Sequence, residues 1–108
     1  MSEQPLPPWS AVDRLLHEPA RLAIVSILAV VEKADFLYLQ RETGLTKGNL
    51  SAHLSKLENA GYIQIEKTFK GKMPLTLVSL TPQGRTALDI YLKSMKAWIN
   101  RMDQNPKE

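Results

Sequence analysis

Apolar residues follow several different rhythms along this chain, and each rhythm predicts a kind of element. Leu22, Ile24, Val25, Ile27, Leu28 and Val31 surround a helix on nearly all sides, which predicts a central core helix with Pro19 in its first turn. Before it, Val12, Leu15 and Leu16 make a single stripe; with Ser10 as N-cap they predict a short first helix that Pro19 ends. Pro5, Pro7 and Pro8 exclude a helix over residues 1–9 and predict an extended tail, with Trp9 capping an apolar surface.

Beyond the core helix, Asp35 is placed to cap a third helix running to about Glu42, with Phe36, Leu37 and Leu39 apolar. Gly44 suits the left-handed position that closes a helix, and Thr46 starts a fourth almost at once. Helix, short glycine turn, helix is the arrangement of a helix-turn-helix unit, although bundles that bind nothing use it too. Gly61 stops the fourth helix. The rhythm then changes from helical to alternating over Tyr62–Lys67, and after a turn at Lys70-Gly71-Lys72 the run Leu75–Leu80 is rich in strand formers, so a β-hairpin is predicted. Pro74 places that end of the hairpin at an edge or tip.

The last helix is predicted from Thr81, as N-cap before Pro82, to about Asp103, a length of roughly 33 Å at 1.5 Å per residue. Its apolar residues Leu88, Tyr91, Leu92, Met95, Trp98, Ile99 and Met102 keep heptad spacing and outrun the hairpin. A stripe that long would be a large exposed patch on a monomer, so it predicts self-association, with the N-terminal helix as a second contributor. The expected organisation is therefore a tail over 1–9, a compact domain over 10–80, a dimerisation helix over 81–103 and a tail over 104–108.

Composition removes whole classes of function. The chain has 108 residues and no cysteine, which leaves no thiolate nucleophile, disulfide or cysteine-based metal site. Its two histidines, His17 and His53, stand apart from other ligand types, so no metal or other cofactor is expected. There is no glycine-rich phosphate loop and no serine, histidine and carboxylate arrangement, hence no expected enzyme. No apolar run spans a membrane and no signal peptide opens the chain, which together predict a cytoplasmic protein. The net charge of +3 is concentrated: Thr46–Lys72 holds Lys47, Lys56, Lys67, Lys70 and Lys72 against Glu58 and Glu66. That local excess is the footprint of a phosphate-contacting surface as well as of an ordinary solvated lysine face.

The fourth helix carries the sharpest signal. Stepping about 100° per residue from Leu50 puts Leu54 and Leu57 on the core side and Gly48, Ala52, Ser55 and Asn59 opposite. A helix entering the major groove needs small side chains where its backbone nears DNA and polar groups toward its N-terminus. Thr46, Lys47, Gly48, Asn49, Ser51, Ala52, His53, Ser55 and Lys56 meet that description. Lys47 can reach guanine or phosphate, Asn49 can pair with adenine, Ser51 and Ser55 can bind phosphate, and Lys56 suits a phosphate. His53 either contacts DNA or lies partly buried beside the hairpin. Lys67 and, at the hairpin tip, Lys70, Gly71 and Lys72 suit the DNA backbone or the minor groove, although a charged tip also serves to block edge pairing, and Phe69 and Met73 are expected to steady the hairpin.

The stretch LTKGNLSAHLSKLENAGYIQIEKTFKGKMPLTLVSLTPQGRTAL, Leu45 to Leu88, preceded by HEPARLAIVSIL, His17 to Leu28, resembles winged-helix transcriptional regulators related to the MarR and ArsR groups, especially short stand-alone members. The resemblance spans roughly residues 15 to 91. It implies a mainly α fold with a β-hairpin, a winged helix-turn-helix with a long C-terminal dimerisation helix. It also implies sequence-specific binding of double-stranded DNA as a homodimer, with Thr46 to Lys56 in the recognition helix and Lys70 to Lys72 in the wing. Such wings often carry an arginine just after the proline, where this sequence has Leu75, and the missing cysteines put thiolate metal sensing out of reach. The sequence names no effector, though the space between dimer helices is where a small molecule would lodge. The competing reading is a winged-helix module that binds protein within a larger complex; lysines on both helix and wing favour DNA.

Overall fold

The computed structural model describes residues 12–104, so the expected tail over 1–9, all but Gln104 of the expected tail over 104–108, and the cap at Ser10 lie outside the described residues. Four helices and three strands follow in the order α1 (Pro19–Val30), β1 (Ala34–Asp35), α2 (Phe36–Thr43), α3 (Lys47–Asn59), β2 (Ile63–Lys70), β3 (Met73–Leu80) and α4 (Pro82–Asp103).

The expected first helix is a turn instead. Asp13 takes the N–H groups of both Leu15 and Leu16 on its Oδ1, and a single backbone bond from His17 to the Asp13 carbonyl closes one turn. The next residue, Glu18, is extended at φ −151°, ψ 126°, as the steric demand of a following proline requires. Leu16 is nonetheless fully buried, so the apolar stripe does mark a core-facing segment, carried on a turn.

Each remaining helix starts and stops on local chemistry. Glu18 accepts the Arg21 N–H ahead of Pro19, Asp35 accepts from Tyr38, Thr46 from Asn49 and Thr81 from Gly84. Gly44 closes α2 at φ 72°, a backbone that glycine adopts without steric cost, and its N–H returns to the Gln40 carbonyl. α1 is the core helix, burying Ile24, Val25 and Leu28, with Leu39 of α2 and Leu50, Leu54 and Leu57 of α3 packed around them. A fully buried leucine contributes on the order of 1.5–3 kcal/mol over an exposed one, so this apolar cluster holds the helices in place.

The sheet order is β1-β3-β2, all antiparallel. The hairpin runs in register from Ile63 opposite Leu80 to Lys70 opposite Met73. β1 was not anticipated: two residues just before α2 pair with Val78 and Leu77, putting β3 in the centre. Pro74 sits near the tip, opposite Phe69 and beyond the reach of β1. In a hairpin closed by Lys70 and Met73, the next pair is the non-hydrogen-bonded one, so the proline nitrogen faces the open edge and breaks no ladder bond.

α4 is fastened to the turn that ends α3. Thr81 donates its hydroxyl to the Gly61 carbonyl at 2.6 Å, and its N–H reaches the Tyr62 carbonyl at 3.0 Å. Gly84 rests directly on that same Tyr62 carbonyl, and a Cβ at position 84 would collide with it and with Leu80. Leu88 and Tyr91 then enter the core, and Met95 packs against it. No residue of α4 after Tyr91 is buried.

Candidate nucleic-acid interface

α3 presents two faces. Leu50, Leu54 and Leu57 are buried, while Lys47, Gly48, Asn49, Ser51, Ala52, Ser55 and Lys56 are exposed. The outermost line of the helix is thus Gly48, Ala52, Ser55 and Asn59, with nothing within 4 Å of where a Cβ on Gly48 would sit. Thr46 uses its hydroxyl to cap the helix through the Asn49 N–H at 3.1 Å, which leaves the Asn49 side chain unengaged by that bond. Unpaired amide groups and the helix dipole make this N-terminal turn attractive to anions.

On one flank, Lys47, Ser51, Ser55 and Glu58 line an open groove of about 760 Å³ whose other walls are Lys67, Pro74, Leu75 and Thr76 of the hairpin and Asp35, Phe36 and Leu37 at the start of α2. Lys47 and Lys67 thus face a common space from helix and wing. Asp35 already has an oxygen on the Tyr38 N–H at 2.7 Å. Glu58, three turns along α3, would repel phosphate, which confines a polyanion to the N-terminal part of the helix.

The wing tip is a two-residue turn. Gly71 has φ 64° and Lys72 after it has no positive φ, the pattern of a type II′ turn that matches strand twist. Lys70 and Lys72 project at the tip and are exposed. Phe69 and Met73 do not steady the hairpin as expected: each is 69% exposed. They belong to adjacent cross-strand pairs and so lie on opposite faces, and neither face has a core at that height.

His53 is half-buried, but on the flank away from the hairpin. Its Nδ1 lies 3.2 Å from Nη1 of Arg21 on α1. Arg21 also donates through Nε to the Leu15 carbonyl at 2.6 Å, and accepting the Arg21 N–H holds the Glu18 carboxyl below its ordinary value. Nothing local in the sequence signals this cluster, because Arg21 and His53 are 32 positions apart. Equally silent is Asp13, whose Oδ2 accepts from the Tyr62 hydroxyl at 2.5 Å. Burial first, and then that carboxylate, push the Tyr62 phenol up to about 12.

Of the seven α4 residues assigned to a dimer interface, Leu88 and Tyr91 are in the subunit's own core, 5% and 3% exposed, because α4 packs there on α1 and the sheet. Met95 and Trp98 are half-buried, the Trp98 ring stacked 5.7 Å from His17, whose Nδ1 meets the Tyr91 hydroxyl at 2.9 Å. Leu92, Ile99 and Met102 remain 43%, 46% and 65% exposed. Among the described residues no three His, Cys, Asp or Glu side chains gather as a metal site, and no helix is long and apolar enough to cross a membrane.

Comparison with known proteins fits this geometry. A family described as a winged helix DNA-binding domain matches residues 20–99. An uncharacterised protein of Methanocaldococcus jannaschii is 34% identical over 80 residues, covering 73% of this chain and 86% of its own. The structure of a transcriptional regulator homologue from Pyrococcus horikoshii OT3 superposes with a TM-score of 0.79 at 34% identity, covering 84% of this chain and 90% of its own. A MarR-family transcriptional regulator from Silicibacter pomeroyi superposes at 0.64 with 24% identity, over 87% of this chain and 62% of its own, a likeness of fold.

Proposed function

This chain is a winged-helix transcriptional regulator, a member of the winged helix DNA-binding domain family with a MarR-like fold, and from that premise we propose that it works in the cytoplasm as a homodimeric repressor reading a near-palindromic operator. The observation that carries this reading is the joint placement of Ser51 and Ser55 with Lys47 of the helix and Lys67 of the wing around one open groove, beside the exposed Gly48 and Ala52. In the major groove, Gly48 and Ala52 let the backbone of α3 approach, while Lys47 and Asn49 reach base edges. Ser51, Ser55 and Lys56, with Lys67, Lys70 and Lys72 of the wing, hold phosphates. Gly71 supplies the turn that brings the two tip lysines forward.

The dimer forms through the exposed stripe of Leu92, Ile99 and Met102, joined by the half-buried Met95 and Trp98. Because α4 is fastened to the turn after α3, the pairing of two α4 helices fixes the separation of the two recognition helices, which must be about 34 Å to meet successive major grooves. Occupancy would block RNA polymerase. An effector, if one acts on this protein, would work by changing that separation.

The test is a salt titration of duplex binding with paired variants. Affinity for DNA should fall with a log–log slope near −0.9 per phosphate contacted. Lys47→Ala or Asn49→Ala should relax base preference, whereas Lys70→Ala or Lys72→Ala should weaken binding to every sequence and flatten the slope by about one unit each. A salt-independent affinity would contradict the mechanism, and equal losses on cognate and random DNA for the first pair would remove them as base readers.

A further inference from the structure

We propose that Arg21 is a positioning residue that fixes the tautomer of His53 and thereby makes His53 a dedicated hydrogen-bond donor toward an acceptor atom on DNA, a phosphate oxygen or a purine edge. The proposal rests on the DNA-binding reading above and adds to it a residue from outside the recognition helix. A guanidinium can only donate. With Arg21 Nη1 at 3.2 Å, this contact uses His53 Nδ1 as the acceptor, which assigns the imidazole hydrogen to Nε2.

Arg21 is itself held in place. Its Nε is anchored on the Leu15 carbonyl at 2.6 Å and its backbone N–H on the Glu18 carboxylate at 2.7 Å, so the guanidinium bridges the N-terminal turn and α3. A hydrogen on Nδ1 would set two donors against each other; the other tautomer satisfies both groups. Among the described residues no side-chain nitrogen or oxygen that is closed off from solvent lacks a partner. Among the described residues His53 Nε2 has no hydrogen-bond partner, and the half-buried ring lies beside the exposed Asn49 and Lys56 on the same flank of α3. A side chain with one fixed donor and no free acceptor favours acceptors, and DNA offers them as phosphate oxygens and as purine N7.

Long-range ¹H–¹⁵N spectra of the free protein report the tautomer directly. The expected result is the Nε2–H form in the wild type and a mixture in Arg21→Met, with the remaining amide spectrum preserved. On duplex DNA, His53→Gln, whose amide nitrogen reaches the Nε2 position, should stay within about threefold of wild type, whereas His53→Asn, which reaches only as far as Nδ1, should lose about tenfold, the equivalent of one hydrogen bond. Loss on cognate DNA alone would identify a purine edge as the acceptor, and equal loss on random DNA a phosphate. An Nδ1–H or protonated ring in the wild type, an unchanged tautomer in Arg21→Met, or equal losses for the two His53 variants would overturn the proposal. Wild-type protein that binds no duplex at all would instead sink the DNA-binding reading and the donor role with it, while the tautomer result would still stand as a separate measurement.

Discussion

The two halves of α4 share one apolar rhythm and have opposite fates. In the first half, Gly84 lies against the Tyr62 carbonyl and Leu88 and Tyr91 complete the core. In the second, Leu92, Ile99 and Met102 continue the stripe into solvent. Periodicity reports that a face is apolar; it does not report what covers it. Ile90 is 56% exposed but lies about 160° around the helix from Leu92, so exposure without periodicity marks an isolated surface residue. The first half of α4 makes the fold, and on our reading the second half makes the assembly.

Variants in each half should separate those roles. The largest effect is expected for Gly84→Ala, where the added Cβ meets backbone that cannot move aside; about 3 kcal/mol should be lost in chemical denaturation. Leu88→Ala should follow at about 2–4 kcal/mol from lost burial and the cavity left behind. Combined Leu92→Ser and Ile99→Ser changes should leave the α1–α3 and hairpin core intact, as read by near-native circular dichroism, while shifting sedimentation toward the monomer. If that double variant instead unfolds like Leu88→Ala at high protein concentration, the division of α4 is wrong.

Smaller effects probe the turn that joins α4 to α3, and the cap of α3. The ordinary phenol value is 10.0 and the folded Tyr62 value is about 12, so the protonated form is favoured by folding. Its stabilisation is fully present below pH 10 and is lost as the pH rises through 12. Tyr91 is shifted in the same direction, first by burial and then by Asp13. Alkaline denaturation curves should therefore slope downward over this interval, and Tyr62→Phe should reduce the slope. Smallest is Thr46→Ala, which removes the α3 cap and should cost about 1 kcal/mol in thermal or denaturant unfolding.

What the sequence disclosed follows the range of each interaction. The caps at Asp35, Thr46 and Thr81, the left-handed Gly44 and the hairpin are set by neighbours a few positions away, and all were legible. The short helix expected between Ser10 and Pro19 is a turn over its described part because a stripe of Val12, Leu15 and Leu16 fits a buried turn as well as a helix, and Asp13 decides between them by bonding its own neighbours. β1 was too short to show any period. In the candidate interface, the exposed and buried faces of α3 could be assigned by angle, but the groove shared with the wing needed the strands to be placed. Phe69 and Met73 looked like packing residues and have nothing to pack on. The Arg21 and His53 contact, joining α1 to α3, depends wholly on tertiary placement.

The central claim, a dimer that reads DNA sequence, is met most directly by incubating the purified protein with a random duplex library at near-physiological salt and sequencing what it retains. The account predicts an enriched inverted repeat whose half-site centres are about one helical turn apart, or a multiple of it. Retention without enrichment, or no retention by folded protein, would contradict it.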